Sequence, residues 1–360
     1  MRVTATSGTV LALLGFGTTI ANAWGAAGHE AVATIAQIHL KPATRQALQS
    51  LLPYSNGYMP PIASWADRIR GVPMFHFASE LHYTSPLDDY PPDECHFGDK
   101  GFKTDHDLLH AVTNYTSRLL DNPDDYVAVK FLVHFIGDLH QPLHLTNRDR
   151  GGNSFMIKFE GRSMNLHGLW DNQLIAKSLR DQRNYTRPLP ARQIEDNLRG
   201  AIYDPFIRLI LWEGVRQWWR SSLPEWFECP RRLSMRDTMK QFVLGVNASP
   251  KLAGPYYNDK DDVWSVICPV HWATQTHEIT CARTFPRSVN STTGSPELFT
   301  REYYSPIRDN NIIEKMLAQG GLRLAASLNA IFAPPTDDEL GRLRDDGDLS
   351  AFVDVSWMDL

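Results

Sequence analysis

Apolar residues recur at three- and four-residue spacing through six segments of this chain, and that regularity excludes most sheet-built folds. "GHEAVATIAQIHL", "ATRQALQSLL", "HDLLHAVTNYTSRLL", "YVAVKFLVHFIGDL", "IEDNLRGAIYDPFIRLILWEGVRQWW" and "NNIIEKMLAQGGLRLAASLNAIF" each gather their large apolar side chains on one side of a helical period. A single stretch, "NSFMIKFEGRSMNLH", alternates instead, and its two short runs around Glu160-Gly161-Arg162 read as a β-hairpin. The pattern predicts a mainly α domain with one small hairpin. At 360 residues, with 42% hydrophobic and 21% charged, the chain is long enough to bury a sizeable core.

The two ends differ from this body. Residues 1–23 carry Arg2, the apolar run "TVLALLGFGTTI" and then "ANA", a small-x-small pattern that predicts signal-peptide cleavage after Ala23. The apolar run falls short of the roughly 20 residues that span a bilayer. Secretion makes sense of four cysteines, Cys95, Cys229, Cys268 and Cys281, an even set suited to two disulfides. Four thiols allow three pairings; proximity in sequence favours Cys268 with Cys281, which leaves Cys95 with Cys229. Sequons at Asn114, Asn184, Asn247 and Asn290 are candidate glycan acceptors. Residues 24–333 form the expected domain, and the segment 334–360, opened by Pro334-Pro335, is expected to be a flexible tail.

Net charge is −5, but residues 336–360 hold eight acidic side chains against Arg342 and Arg344, so the mature body without that tail is formally neutral. A neutral body does not carry the basic surface that usually marks nucleic-acid binding. Bound divalent cations would change that balance locally.

The densest chemistry lies in "HFIGDLHQPLH". His134 and Asp138 stand four residues apart in a helical pattern, so both side chains leave one face, one turn apart. Pro142 ends the helix and frees His144 to approach from another direction. A second pair, His167 and Asp171 in "HGLWDN", repeats the four-residue spacing. His29 follows five residues after Trp24, whose α-amine would be free once the signal peptide leaves and could donate to a metal with its own carbonyl. Asp67 in "SWADRIR" and His82 in "ELHYT" complete five histidines and three aspartates. A lone histidine on an apolar helix is more often a hydrogen-bonded core residue, and His140 points away from the platform because it lies two residues beyond Asp138. Two such pairs with His144 beside them favour a metal. Imidazole and carboxylate donors without thiolate suit zinc, and an open position on each ion would make the zinc catalytic rather than structural.

Together "WGAAGHE", "SWADRIR", "ELHY", "HFIGDLHQPLH" and "LHGLWDNQL" resemble the secreted trinuclear-zinc nucleases of the S one and P one type, whose helical fold is shared with bacterial zinc phospholipase C. The resemblance spans nearly the whole mature chain. It implies one zinc held by Asp67, His82, His134 and Asp138, a second by His144, His167 and Asp171, and a third by the Trp24 amine and carbonyl, His29 and bridging Asp138. It also implies an endonuclease that cuts single-stranded DNA and RNA to 5′-phosphorylated products and acts on 3′-mononucleotides. In that chemistry the ions activate water and neutralise phosphate charge, with Asp67 orienting or deprotonating the water. Tyr83 stands where relatives stack a base, and Asn172 next to Asp171 could read a base edge. The protein is expected to act as a secreted monomer without membrane attachment. A phospholipase C-like phosphodiesterase is the alternative, although phospholipases carry a Glu at shorter spacing where Asp171 stands. A zinc-binding protein without turnover is a third reading.

Overall fold

The computed structural model describes residues 24–229, 267–287 and 294–359. The signal-peptide cleavage site and the sequons at Asn247 and Asn290 lie outside the described residues. Helix α1 (Ala26–Ile38) is followed by α2 (Pro42–Leu51), α3 (Trp65–Ile69) and a 3₁₀ segment, Pro73–His82. Helices α4 (Leu108–Asp121) and α5 (Tyr126–Leu139) come next. Strands β1 (Met156–Phe159) and β2 (Arg162–Asn165) precede helical turns leading into α6 (Leu174–Asp181). Later elements include α7 (Pro269–Ile279), α8 (Ile312–Phe332) and α9 (Asp337–Asp346).

Local chemistry sets these boundaries. Asp107 and Asp125 accept from His110 N and Ala128 N, capping α4 and α5 with the carboxylates that unpaired first-turn N–H groups prefer. Pro42 and Pro269 open α2 and α7, where a missing N–H costs nothing. The hairpin pairs Met156 with Asn165 and Phe159 with Arg162. Glu160 and Gly161 turn it with φ of 51° and 74°, the left-handed pair that a two-residue β-turn needs.

Helix α5 is the centre of the molecule. From Ala128 onward nearly all its residues are buried, including Val133, Phe135, Ile136 and Leu139, so it is a core helix whose buried polar side chains are His134 and Asp138. It packs against α4, α8 and α1, while α1 runs along α8. Among the described residues no helix is long and apolar enough to cross a membrane.

Three expectations need correction. The long helical pattern after Ile194 is interrupted near its start: Arg192–Glu195 is one short helix, Gly200 turns at φ 76°, and Pro205 opens a second over Asp204–Leu209 that continues as helical turns through Ile210–Trp218, as the pattern predicts. The acidic segment after Pro335 is folded rather than loose. Thr336 and Glu339 form a reciprocal capping box on α9, and Leu349, Phe352, Val353, Trp357 and Met358 are buried against the body. Trp357 Nε1 donates to His39 Nε2 at 3.2 Å. Apolar residues scattered among the acidic ones hold this end in place, which a reading of its charge alone overlooks.

The cysteines pair as Cys95–Cys281 and Cys229–Cys268, not by proximity in sequence. Cys268 caps the N-terminus of α7 and Cys281 lies just beyond its other end. Thirteen residues at about 1.5 Å rise put them about 20 Å apart, far beyond the roughly 7 Å Cα separation a disulfide tolerates.

Candidate metal centre

Each motif arrives on a different element. Helix α1 presents His29, α3 presents Asp67, the 3₁₀ segment ends on His82, and α5 supplies His134 and Asp138. Pro142–Leu145 turns after α5 and carries His144, while His167 and Asp171 come from the turns between β2 and α6. All eight side chains converge. Asp138 Oδ2 lies 2.9 Å from His82 Nδ1 and 3.2 Å from His134 Nε2, and its Oδ1 lies 3.2 Å from His29 Nε2 and 3.7 Å from His144 Nδ1. Asp67 Oδ1 is 3.7 Å from both His82 Nδ1 and His134 Nε2. His167 Nε2 is 3.2 Å from Asp171 Oδ2, and the His144 and His167 rings stack at 5.1 Å.

His82 Nδ1 bonds Asp138 Oδ2 and His134 Nε2, but other atoms of the cluster are close without being paired. His29 Nε2, His82 Nε2, His144 Nε2, Asp138 Oδ1 and Asp171 Oδ2 are buried and make no hydrogen bond. Partnerless buried donors and acceptors are costly, typically about 1–3 kcal/mol each, so a cluster of them needs an external partner. Three groups, His29/His134/Asp138, Asp67/His82/His134 and His144/His167/Asp171, bring their donor atoms within 4.8 Å of one another. Two ligands on a tetrahedral zinc with bonds of about 2.0–2.1 Å stand about 3.3 Å apart, within the range of separations here. The donor set therefore fits metal ions.

Backbone carbonyls aim the rings. His134 Nδ1 donates to Ala63 O at 2.7 Å, His167 Nδ1 to Gly151 O at 2.6 Å, and His144 Nδ1 to His82 O. Each bond fixes the tautomer that leaves Nε2 as a lone-pair donor. The His167 support comes from a turn in which Asp149, Arg150, Gly151 and Gly152 all have positive φ, between 49° and 80°. A side chain at 151 would also meet Leu143 O at 2.7 Å, so glycine is required there.

Burial lowers the basicity of His29, His82 and His144 well below the ordinary imidazole range, helped by neighbouring histidines. Burial also pushes the Asp138 carboxyl up to about 7, against the pull of His134. Without cations the pocket thus disfavours the charged forms of His29, His82, His144 and Asp138, while the neighbouring aspartates raise His134 and His167; bound cations would relieve the cost of burying these groups.

A family model described as S1/P1 nuclease matches residues 24–333. The chain belongs to the S1/P1 nuclease family. It is 29% identical over 326 residues to Endonuclease 4 of Arabidopsis thaliana, covering 86% of this chain and 89% of that protein. Nuclease P1 of Penicillium citrinum is 27% identical over 316 residues, 86% of this chain and 97% of its own length. Nuclease S1 of Aspergillus oryzae is 36% identical over a shorter 161 residues, 42% and 54% of the two chains. As a member of this family the protein is a hydrolytic nuclease, with nucleic acid as its substrate class.

Around the metal centre of this nuclease, Trp24 is fully buried with an unpaired Nε1, and Gly25 N donates to Asp171 O at 2.9 Å. The start of the described chain is thereby fastened to the segment carrying Asp171. Asn172, itself exposed, lies directly over Gly25, whose added Cβ would strike its Oδ1. Tyr83 leaves the 3₁₀ segment in extended conformation, 45% exposed. Its carbonyl accepts from Leu108 N at 3.0 Å, and Thr84 N donates to His144 O at 2.8 Å. Tyr83 is therefore held by the backbone beside the ligand cluster with part of its side chain open to solvent. His140 turns away as expected, with its ring bonded to Ile136 O and Arg323.

Sequence reasoning missed two residues of the pocket. Arg70, the residue that ends α3, donates to Asp67 Oδ1 three residues before it, and its Nε is buried without a partner. Gln141 donates to Asp171 Oδ1 and accepts from Leu143 N, holding the carboxylate so that Oδ2 faces His167. The i, i+3 Asp-Arg spacing in "WADRIR" was a visible signal for Arg70; a glutamine before proline carries none.

A fourth grouping, Asp89, His277 and Cys281, has a different meaning. Cys281 is oxidised to Cys95, a crosslink that anchors the loop after Tyr83 to the end of α7, and His277 Nε2 lies 3.0 Å from Asp89 Oδ1. Asn114 and Asn184 are both exposed.

Proposed function

We propose that this nuclease is a secreted, monomeric, zinc-dependent endonuclease that hydrolyses single-stranded DNA and RNA to 5′-phosphorylated products and also removes phosphate from 3′-mononucleotides. The observation that carries the proposal is the cluster of buried, partnerless imidazole and carboxylate atoms beside the partly exposed Tyr83. Asp67, His82, His134 and Asp138 would hold one zinc, His144, His167 and Asp171 a second, and the Trp24 amine and carbonyl with His29 and Asp138 a third. When bound, zinc supplies Lewis acidity that lowers the pKa of water and neutralises phosphate oxygens.

The chain's own groups do the remaining work. Asp67 orients the attacking water and takes its proton. Arg70, with an unused Nε–H beside Asp67, donates to a phosphate oxygen on which negative charge grows. Tyr83 offers its ring to an unpaired base, a contact worth about 1–3 kcal/mol that a duplex cannot make. Asn172 hydrogen-bonds a base edge. Paired disulfides and sequons on exposed Asn114 and Asn184 support a secreted, glycosylated protein.

Incubating the mature protein with single-stranded DNA, duplex DNA, RNA, 3′-AMP and phosphatidylcholine, with zinc counted per chain, tests the proposal. Release of 5′-nucleotides from unpaired strands and of phosphate from 3′-AMP is expected. Phosphocholine release without nucleotide release would replace the proposal with a phospholipase.

A further inference from the structure

The outer ends of α5 and the 3₁₀ segment carry an aromatic surface that neither the ligands nor Tyr83 use. Trp65 on α3 meets Phe75 and Phe131 edge-on, with centroids 5.5 and 5.1 Å apart, and Phe77 lies 6.3 Å from Phe131. Lys130 bridges two rings, its Nζ 5.0 Å from Trp65 and 4.9 Å from Tyr126. Only the inner part of this cluster is core. Phe131 is fully buried, while Phe77 is 49%, Tyr126 52% and neighbouring Met74 73% exposed.

The surface and the metal centre share three elements. Trp65 stands two residues before Asp67 on α3, Lys130 one turn before His134 on α5, and Phe77 six residues before Tyr83. At about 2.0 Å rise per residue the 3₁₀ segment sets Phe77 about 12 Å from Tyr83 along the chain. That is roughly three nucleotide steps at the 3.4 Å spacing of a stacked strand.

We propose that Phe77, Tyr126 and Lys130, with Met74 at the rim, form a second platform for unpaired nucleic acid, where bases beyond the one at Tyr83 stack and Lys130 meets the backbone. The inference rests on the nuclease reading above and extends it to how a long strand is held. Half-exposed rings interleaved with an ammonium match the two things an unpaired strand offers, base faces and phosphates. A lipid surface would engage the same apolar side chains and ammonium, so vesicle binding in the test separates the two.

The test measures binding of labelled, cleavage-resistant phosphorothioate thymidylates, a dinucleotide and a dodecamer, to the full mature protein. Wild type should bind the dodecamer more than tenfold tighter than the dinucleotide. Phe77→Ser with Tyr126→Ser should weaken the dodecamer about ten- to a hundredfold and leave the dinucleotide unchanged. Lys130→Gln, which keeps the rings in place, should weaken the dodecamer several-fold with a shallower salt dependence. Thermal unfolding of each variant checks that it is folded. Equal affinity of wild type for the two lengths, or parallel losses on both in the variants, overturns the proposal. So does intact dodecamer binding combined with lost binding to phosphatidylcholine vesicles, which would assign the patch to a membrane. Turnover of 3′-AMP by wild type reports on the nuclease reading separately, so the two can fail independently.

Discussion

Gly137→Ala isolates the crossing of α1 and α5 on which the proposed third metal position depends. Gly137 sits between His134 and Asp138 on α5. A methyl group on its Cα would lie 2.6 Å from His29 Nδ1 and 3.0 Å from its Cε1. Ordinary contacts need about 3.5 Å, so the imidazole must retreat by roughly 0.9 Å. Metal–ligand distances hold to about ±0.2 Å, so the ring cannot retreat and keep its bond. It has little room elsewhere, being 1% exposed and stacked on His134 at 3.8 Å. Overpacking costs about 1–3 kcal/mol, and replacing a mid-helix glycine returns about 1 kcal/mol, so global stability should fall by no more than about 2 kcal/mol. Metal affinity at the His29 position takes the strain directly, and the same 1–3 kcal/mol corresponds to a loss of about 5- to 150-fold. Zinc per chain after dialysis against graded chelator, read beside thermal unfolding, measures both. Gly341→Ala on α9, where an added methyl touches nothing, is the control and should leave zinc unchanged. A Gly137→Ala protein with full zinc content and unaltered chelator sensitivity would refute His29 as a ligand placed against α5.

Other perturbations reach other parts of the structure. One extra residue before Trp24 turns its amine into an amide without a free lone pair, so zinc content should fall by one ion per chain and activity with it; full activity would contradict the amine as ligand. Replacing Cys95 and Cys281 together by Ser removes a crosslink between residues 186 apart and should lower stability by about 2–5 kcal/mol in denaturant titration, with an unchanged midpoint contradicting the pairing. Burial lowers His39 from 6.5 to about 4, so the unfolded chain takes up this proton first as pH falls. Its contribution to stability is therefore complete above pH 6.5 and lost on acidification towards pH 4. His39→Gln should flatten the stability–pH slope across that window by up to one proton, and an unchanged slope would argue against a buried, neutral His39.

Much of the candidate site was legible because its signals are local. Helical spacing alone puts His134 with Asp138, and His167 with Asp171, on common faces, and both pairs are close in space at 3.2 Å. Pro142 marked the turn that frees His144, and the left-handed Glu160-Gly161 turn stands where the alternating pattern placed a hairpin. Where the reading failed, residues distant in sequence or masked by composition decided the outcome. Charge suggested a loose end, yet a few apolar side chains, with Trp357 on His39, hold it down. Nearness in sequence suggested a Cys268–Cys281 bond, yet the rigid helix between them keeps them apart.

The sequence by itself determined the helical class, the hairpin and the identity of each candidate donor, because backbone periodicity and side-chain chemistry act over a few residues. Only the tertiary structure decided that donors from five regions share one pocket, that Arg70 and Gln141 brace two of its carboxylates, and that a ring-and-lysine surface leads away from it. Those relations depend on how buried helices cross, and close packing transmits that crossing between positions no local pattern connects.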